Sequence, residues 1–399
     1  MSSQTTSSPN TQPQRIAIRI PSWAAYGREI YRGITSYILE HRVHWELNTD
    51  LVTDDEIRPA SNQGDWDVDG AIFFRYTEQE AEAFRELGRP IISISRESTA
   101  EDVIRVHANN RAIGRLAAEH LVAIGAPNLA CLGDSKRLYW QDRVDGFVEA
   151  AGEMNRTVKI IDFEASSLPR ADRWRAIYEA MKVGLSSLKK PVGLFVRDDI
   201  AARGVTDVAR DLGINIPKDL AVIGVGDDDV LCSVASPALS TIEIPARQIG
   251  YLAARCLDEQ LRGEASERMV YELGGSRVIR RDSTSLLMVE DELVSQAWEL
   301  IRARAPREKL VVARICKELG ISTTTLIKRF RDQLGRSPKE VIDRTRFEEA
   351  VKLIEGTQWA IKRIAYELDF RSPEEFDRFF KRQSGQTPGN FRSQVRQDV

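Results

Sequence analysis

Two kinds of hydrophobic spacing divide the chain. From Arg15 onward short apolar runs recur at Ile16–Ile20, Ala71–Phe74, Ile91–Ile94, Leu129–Leu132, Val192–Val196 and Leu220–Val225. Runs this short and this continuously apolar predict strands covered on both faces, as in a parallel sheet. Helical patterns separate them over Arg28–Glu40, Ala112–Ile124, Trp140–Ala150, Arg173–Leu188 and Ile200–Leu212. Strand–helix alternation implies parallel sheets wound by right-handed crossovers. There are more strands than one five- or six-stranded sheet easily takes, so two lobes are expected. Ligands of such sheets bind at the carboxyl ends of the strands.

Beyond Thr284 the pattern turns helical and repeats itself. Arg314-Ile315-Cys316-Lys317-Glu318-Leu319-Gly320-Ile321-Ser322 is followed by Leu326, Phe330, Gly335 and Pro338. Arg363-Ile364-Ala365-Tyr366-Glu367-Leu368-Asp369-Phe370 is followed by Phe376, Phe380, Gly385 and Pro388. Each copy reads as a short helix, a tight turn and a second helix. Ile315, Cys316 and Leu319 form one apolar stripe, Gly320 supplies a left-handed stop, and Ser322 caps the next helix. In the second copy Ser372 caps and Pro373 takes the first helical position, where a missing N–H costs nothing. Small Cys316 and Ala365 let the paired helices cross closely. Between the copies one long helix over Pro338–Glu355, with Val341, Ile342, Ala350, Val351 and Ile354 inward, fixes the spacing. A helix-turn-helix places the start of its second helix in the DNA major groove.

Composition narrows this picture. At 399 residues the chain exceeds one ordinary core, and 42% hydrophobic with 29% charged residues is a globular balance. No stretch approaches the roughly 18 apolar residues of a membrane span. Met1–Gln14, rich in Ser, Thr, Gln and Pro, reads as a flexible tail rather than a signal peptide. Cys131, Cys232, Cys256 and Cys316 lie far apart, without the close pairs of a zinc site or disulfide framework, which points to a reduced, cytoplasmic protein. The net charge of −3 hides a split: 35 Lys+Arg against 42 Asp+Glu up to Thr284, and 22 against 18 from Ser285. A module of +4 attached to one of −7 fits DNA binding by the smaller part. The expected organisation is a disordered tail over 1–14, a two-lobed α/β domain over 15–284, a linker helix over 285–304 and an all-α tandem helix-turn-helix domain over 305–399.

Lys309–Gln394 resembles the AraC/XylS family of DNA-binding regulators, through the paired units, the "RF…A…LI" connecting helix and the block "FFKRQSGQTPGNFR". It departs at Asp369, where that family usually has Gly; Asp tolerates the left-handed backbone at some strain. The resemblance implies double-stranded DNA as partner, exposed Thr323, Thr324, Thr325 and Lys328 on the first reading helix, and Arg371, Glu374, Asp377 and Arg378 on the second. Lys328 and Arg378 could donate to guanine, Glu374 could accept from cytosine, and the threonines suit phosphate or a thymine methyl.

"VDGAIFF" (68–74), "VHANNRAIGRLAAEHLVAIG" (106–125), "QDRVDGF" (141–147), "VRDDIAARGV" (196–205) and "DLAVIGVGDDD…SPALSTIEIP…IG" (219–250) resemble the LacI/GalR sugar-responsive domain, a periplasmic-binding-protein fold. That family's N-terminal DNA-binding headpiece is not expected here, since Arg15 already reads as the start of the first strand. A sugar site needs carboxylates and Arg or Asn for vicinal hydroxyls, and an aromatic against the ring face. Position by position the resemblance implies Arg143 and Asp198 as polar contacts, Asp134 and Asp227 as further ones, and Trp23 as a stacking partner. The family's sugar-binding Asp is Gly226 here, so Asp227 or Asp228 substitutes or the ligand is held differently. A metal on Asp227-Asp228-Asp229 is disfavoured, because consecutive side chains diverge and no histidine is near.

No Gly-x-Ser-x-Gly elbow, Walker A loop, Gly-x-Gly-x-x-Gly or His-based metal motif is present, and His120 is expected to face the core, so no catalysis and no cofactor are expected. The joined architecture, with "AYGREI" (25–30) and "RVIRRDST" (277–284), resembles the xylose-responsive activators of bacteria. That resemblance implies a homodimer switched by a small sugar, a pentose, and acting on RNA polymerase if it activates. The rival reading is a repressor or architectural dimer whose N-terminal domain binds a protein or another small molecule.

Overall fold

The computed structural model describes residues 12–49, 67–97, 100–163, 170–264, 266, 268–289 and 291–397. Of the tail expected over 1–14, residues 1–11 lie outside this range, and Gln14 already opens the first strand. β1 (Gln14–Arg19), α1 (Ala25–His41), β2 (Trp45–Thr49), β3 (Gly70–Phe73), α2 (Glu78–Glu86), β4 (Ile91–Ser93) and β5 (Ile104–Ala108) build one lobe. The second lobe takes α3 (Asn110–Ala123), β6 (Asn128–Gly133), α4 (Leu138–Glu153), β7 (Val158–Asp162), α5 (Arg170–Ser186) and β8 (Val192–Val196). It continues through α6 (Asp199–Asp211), β9 (Leu220–Val225), α7 (Asp229–Val234) and β10 (Ser240–Glu243). The chain returns to the first lobe with α8 (Ala246–Leu261) and β11 (Val270–Leu273), then crosses once more to set β12 (Arg277–Ile279) on the second.

The two expected lobes are thus two six-stranded sheets. The first has order β11-β5-β4-β3-β1-β2 and is parallel throughout. The second has order β12-β10-β9-β8-β6-β7 and is parallel except for β12, which runs antiparallel to β10. β8 and β9 are buried at every residue, which is why they read as unbroken apolar runs. Each lobe carries a pair of helices in backbone contact. A Cβ at Gly33 of α1 would collide with the Arg247 carbonyl on α8, and one at Gly250 with that of Ile30. In the second lobe Gly114 of α3 meets the Arg143 carbonyl on α4, and Gly146 that of Arg111.

The C-terminal part is helical: α9 (Glu292–Arg304), α10 (Val312–Leu319), α11 (Thr323–Leu334), α12 (Pro338–Gly356), α13 (Ile361–Glu367), α14 (Pro373–Ser384) and α15 (Pro388–Gln397). The two repeated units have separate cores. Val294, Trp298, Ile301, Ile315, Leu326 and Phe330 form the first; Ile354, Ile364, Ala365, Phe370, Phe376 and Phe380 form the second. The helix expected within 285–304 is α9, and it contributes one wall of the first core. Gly320 takes φ +66° after α10, and Asp369 accepts φ +55° at the corresponding turn. The Ser322 hydroxyl caps α11 by accepting from the Thr325 amide at 3.1 Å, and Ser372 caps α14 with Pro373 as its first residue.

Candidate functional site

At the carboxyl ends of the strands the lobes face each other across a cleft. Arg143, on α4 and only 6% exposed, is its central cation. Its Nε donates to Asn110 Oδ1 (2.9 Å), its Nη1 donates to the Arg197 carbonyl (2.7 Å), and its guanidinium lies 5.0 Å from the Tyr139 ring centre. Burial pulls its pKa below the usual arginine value, against the attraction of Tyr139, Asp198 and Tyr26. Asp198 stands beside it at the end of β8. One of its oxygens accepts from the Ala201 amide (2.7 Å) and the other from Arg197 Nε (2.7 Å). Burial would raise the Asp198 pKa, but Arg197 and the Ala201 amide outweigh it and hold the carboxyl below the ordinary range. From the first lobe, Tyr26 comes within electrostatic reach of Arg143 while donating to the Ile94 carbonyl (3.2 Å), and burial holds its phenol protonated. Ion pairs bridge the lobes, Arg96 Nε with Asp142 (2.9 Å) and Arg28 with Asp228 (3.8 Å) among them.

The other expected ligand residues sit differently. Trp23, in the loop after β1, is 43% exposed, and its carbonyl accepts from Arg28. Asp134 is buried against the Lys136 amide (3.0 Å), with Arg137 3.8 Å away. Asp227 takes φ +53° and gives its carboxylate to Arg281 (2.8 Å). The structure therefore brings Arg143 and Asp198 together and commits Asp134 and Asp227 to protein donors. The Asp triplet diverges as expected, with Asp228 capping α7. No metal-holding cluster of His, Cys, Asp or Glu occurs among the described residues. Gly226 has φ +137°, and a Cβ there would come within 3.2 Å of Asp199 Oδ2. Asp199 itself is turned inward, accepting from Thr241 Oγ1 (2.6 Å) and the Asp228 amide (3.0 Å); burial pushes its pKa up to about 6.

Several cleft residues escaped the sequence reading: Tyr26, Arg96, Asn110, Tyr139, Asp142 and Arg197. Tyr139 lies four residues before Arg143, one helical turn away, so the spacing alone could have nominated it. Arg96 and Asp142 join only through the folding of two lobes and leave no local signal.

On the helical part, Thr323, Thr324 and Lys328 of α11 are exposed, as are Glu374, Asp377 and Arg378 of α14 and Arg371 just before it. Thr325 is half-buried, and its hydroxyl hydrogen-bonds that of the capping Ser322 at 2.8 Å. The Ser372 hydroxyl, with help from Arg378, holds the Glu374 carboxyl below its usual range. The two units are tied directly: the Lys309 amide donates to Asp369 (2.8 Å) and its Nζ pairs with Glu375 (3.1 Å). Buried Arg346 of α12 donates to the Leu368 carbonyl and stacks 4.1 Å from the Phe370 ring centre. Each unit presents the start of its second helix to solvent, the geometry a major-groove reader requires.

A strap, residues 285–289, docks this part on the second lobe. The Met288 amide donates to the Ile124 carbonyl (2.7 Å), and Val289 and Leu334 lie against Gly125, whose φ is +79°. The Ser285 carbonyl accepts from Arg280 and Arg302, while Arg280 lies 5.6 Å from the Trp298 ring centre. Burial and the neighbouring Arg302 lower the Arg280 pKa to about 10. His120 of α3 hydrogen-bonds Thr284 Oγ1 through Nε2 (2.9 Å). Burial, then Arg280, Arg344 and Arg336, push its pKa down to about 3, so it is neutral.

Residues 118–284 match a family described as a periplasmic binding protein-like domain, and residues 315–394 match a helix-turn-helix domain. The xylose operon regulatory protein of Escherichia coli strain K12 is 27% identical over 390 residues, covering 96% of this chain and 97% of its own. The protein of the same name from Haemophilus influenzae is 25% identical over 388 residues, covering 96% and 98%. A solved structure of a xylose-binding transcription activator matches with a TM-score of 0.58 at 25% identity, over 96% of this chain and 98% of that one. These relatives are regulators rather than enzymes. No described helix is long and apolar enough to cross a membrane. Two sheet-bearing lobes facing each other across a cleft, joined through one strap to two helix-turn-helix units, make this chain a DNA-binding transcription regulator with a periplasmic-binding-protein-like sensor domain and an AraC-type helix-turn-helix domain.

Proposed function

We propose that a small carbohydrate bound between the lobes switches DNA binding by this protein, which acts in the cytoplasm as a homodimer on genes of sugar uptake or breakdown. The pentose for which the xylose operon regulatory proteins and the xylose-binding activator are named sets the expected size of the effector. Arg143 and Asp198 are its polar contacts and Trp23 its aromatic neighbour. Thr323, Thr324, Lys328, Arg371, Glu374 and Arg378 read or grip DNA, with Thr325 supporting the first helix. Activation would place RNA polymerase beside the bound dimer.

The observation that carries this reading is the position of α3. It begins at Asn110, which holds Arg143 in the cleft, and ends at Ile124 and Gly125, which receive the strap of the DNA-binding part. Its 14 residues span roughly 20 Å at 1.5 Å each. A ligand that draws the lobes together on Arg143 therefore acts on the helix whose far end seats the reading units. An effector that binds the active arrangement about 100-fold more tightly shifts the equilibrium by roughly 2.7 kcal/mol, enough for a working switch.

The test is DNA affinity of the full chain with and without a panel of carbohydrates. A carbohydrate-dependent change in affinity, lost in Arg143→Ala, supports the switch. Constant affinity across the panel, with no heat of binding for any member, would overturn it.

A further inference from the structure

The two helix-turn-helix units have separate cores, and α12 serves both, giving Val341 and Ile342 to one and Ala350 and Ile354 to the other. That helix sets the distance between the units, but a single helix bends between two bodies. A second connection lies at Asp369. Its φ of +55° is one that glycine takes freely and an L residue takes at some strain, and the corresponding turn of the first unit uses Gly320. The turn itself does not need the carboxylate. Its Leu368, Asp369 and Phe370 amides already donate to the Ile364, Tyr366 and Ala365 carbonyls. The carboxylate instead reaches 60 residues back along the chain, accepting from the Lys309 amide at 2.8 Å. Lys309 belongs to the first unit, where its neighbour Leu310 is buried in the core.

The same lysine also holds the second reading helix. Its Nζ meets Glu375 Oε1 at 3.1 Å, and Glu375 Oε2 accepts from the Arg371 amide at 3.0 Å, at the entry to α14. From the other side Arg346 of α12 donates to the Leu368 carbonyl and stacks on Phe370, with Asp369 and Glu375 within electrostatic reach. The turn before α14 is thus gripped by the first unit through Lys309 and by the connecting helix through Arg346. Backbone strain at a side chain that the turn does not use points to a role outside the turn.

We infer that Asp369 is a positioning residue for DNA recognition: with Lys309 and Glu375 it clamps the two units at one angle, and so fixes the spacing of DNA subsites that one protomer accepts. This rests on the assignment of α11 and α14 as the two readers. Each base pair added or removed between their subsites turns one subsite against the other by roughly 35°. A hinged pair of units absorbs that rotation, and a clamped pair does not. The probe is a duplex that the full chain selects from a random-sequence pool, with versions carrying one base pair more or fewer between the two stretches that one protomer protects. The parent should lose about tenfold or more in affinity on the altered spacings. Asp369→Gly, which suits the left-handed turn, should melt near the parent's temperature yet narrow that loss by about threefold, the scale of an exposed charged contact. Lys309→Met, which keeps the backbone bond to Asp369 and loses only the one to Glu375, should narrow it less. Asp369→Asn keeps both the turn and an acceptor for the Lys309 amide, and should discriminate like the parent. If Asp369→Gly separates the spacings as sharply as the parent, the clamp is overturned and both readers stand. If the parent itself binds all three duplexes alike, the clamp falls together with the assignment of two readers on one protomer.

Discussion

His120 shows how a single residue registers the joint between sensor and reader. Its folded pKa of about 3 lies below the ordinary 6.5, so protons bind the unfolded chain first as pH falls. The stability it contributes is full above pH 6.5 and is lost progressively as pH drops from there toward 3. His120→Gln should flatten the fall in unfolding free energy over that window, relative to the parent, in urea titrations at stepped pH. At the reading helices, Lys328→Ala and Arg378→Ala should each cut DNA affinity by about 1–3 kcal/mol if the cation meets a base. If it meets a phosphate, each should lower the salt slope of binding by about one. Unchanged affinity and slope would remove these residues from the interface. At this scale the helical caps were legible, because Ser322, Gly320, Ser372 and Pro373 act on their own immediate neighbours. The cleft was legible only in part. A motif names Arg143, but whether an Asp faces ligand or protein depends on partners far along the chain, as Arg281 decides for Asp227.

Among elements, the α3–α4 crossing makes the sharpest demand. Gly114→Ala puts a methyl group into the Arg143 backbone, which has no flexible end to yield. The helices must part, costing about 1–3 kcal/mol and displacing the cleft arginine. Gly152→Ala, also on α4 with nothing within 4 Å of its Cβ, should be neutral or up to about 1 kcal/mol stabilising. Equal melting temperatures for the two variants would contradict this packing account. Strand legibility followed burial. β8 and β9 announced themselves as apolar runs, whereas edge strands β2 and β7 are largely exposed. β5 carries Arg105 and His107, the latter buried with its ring nitrogen on the Ala108 carbonyl, and so did not read as a strand. α9 was legible as a helix, but not as a wall of the first reading unit's core, since an amphipathic stripe does not name its partner.

Across the whole molecule, the proposed switch makes the strap at Gly125 the place where the response to effector and the binding of DNA would meet. Gly125→Ala forces a left-handed residue to carry a methyl group against Val289. Carbohydrate affinity should stay near the parent's while the carbohydrate-dependent change in DNA affinity shrinks; a preserved response would mean that coupling runs elsewhere. The division into a sheet-bearing part and a doubled helical part was legible from periodicity alone. The threefold crossing between lobes was not, because nothing local marks where a chain changes sheet.

That crossing and the strap together govern how such regulators can be recombined. Because β12 returns to the second lobe after β11 has served the first, neither lobe is a continuous piece of gene, and a sensor can be transplanted only whole, through Thr284. Residues 285–289 then belong to both parents at once: their sequence joins the reader, while their seat, Ile124 and Gly125, travels with the sensor. A hybrid that matches the two would inherit control, and one that mismatches them would inherit only DNA binding.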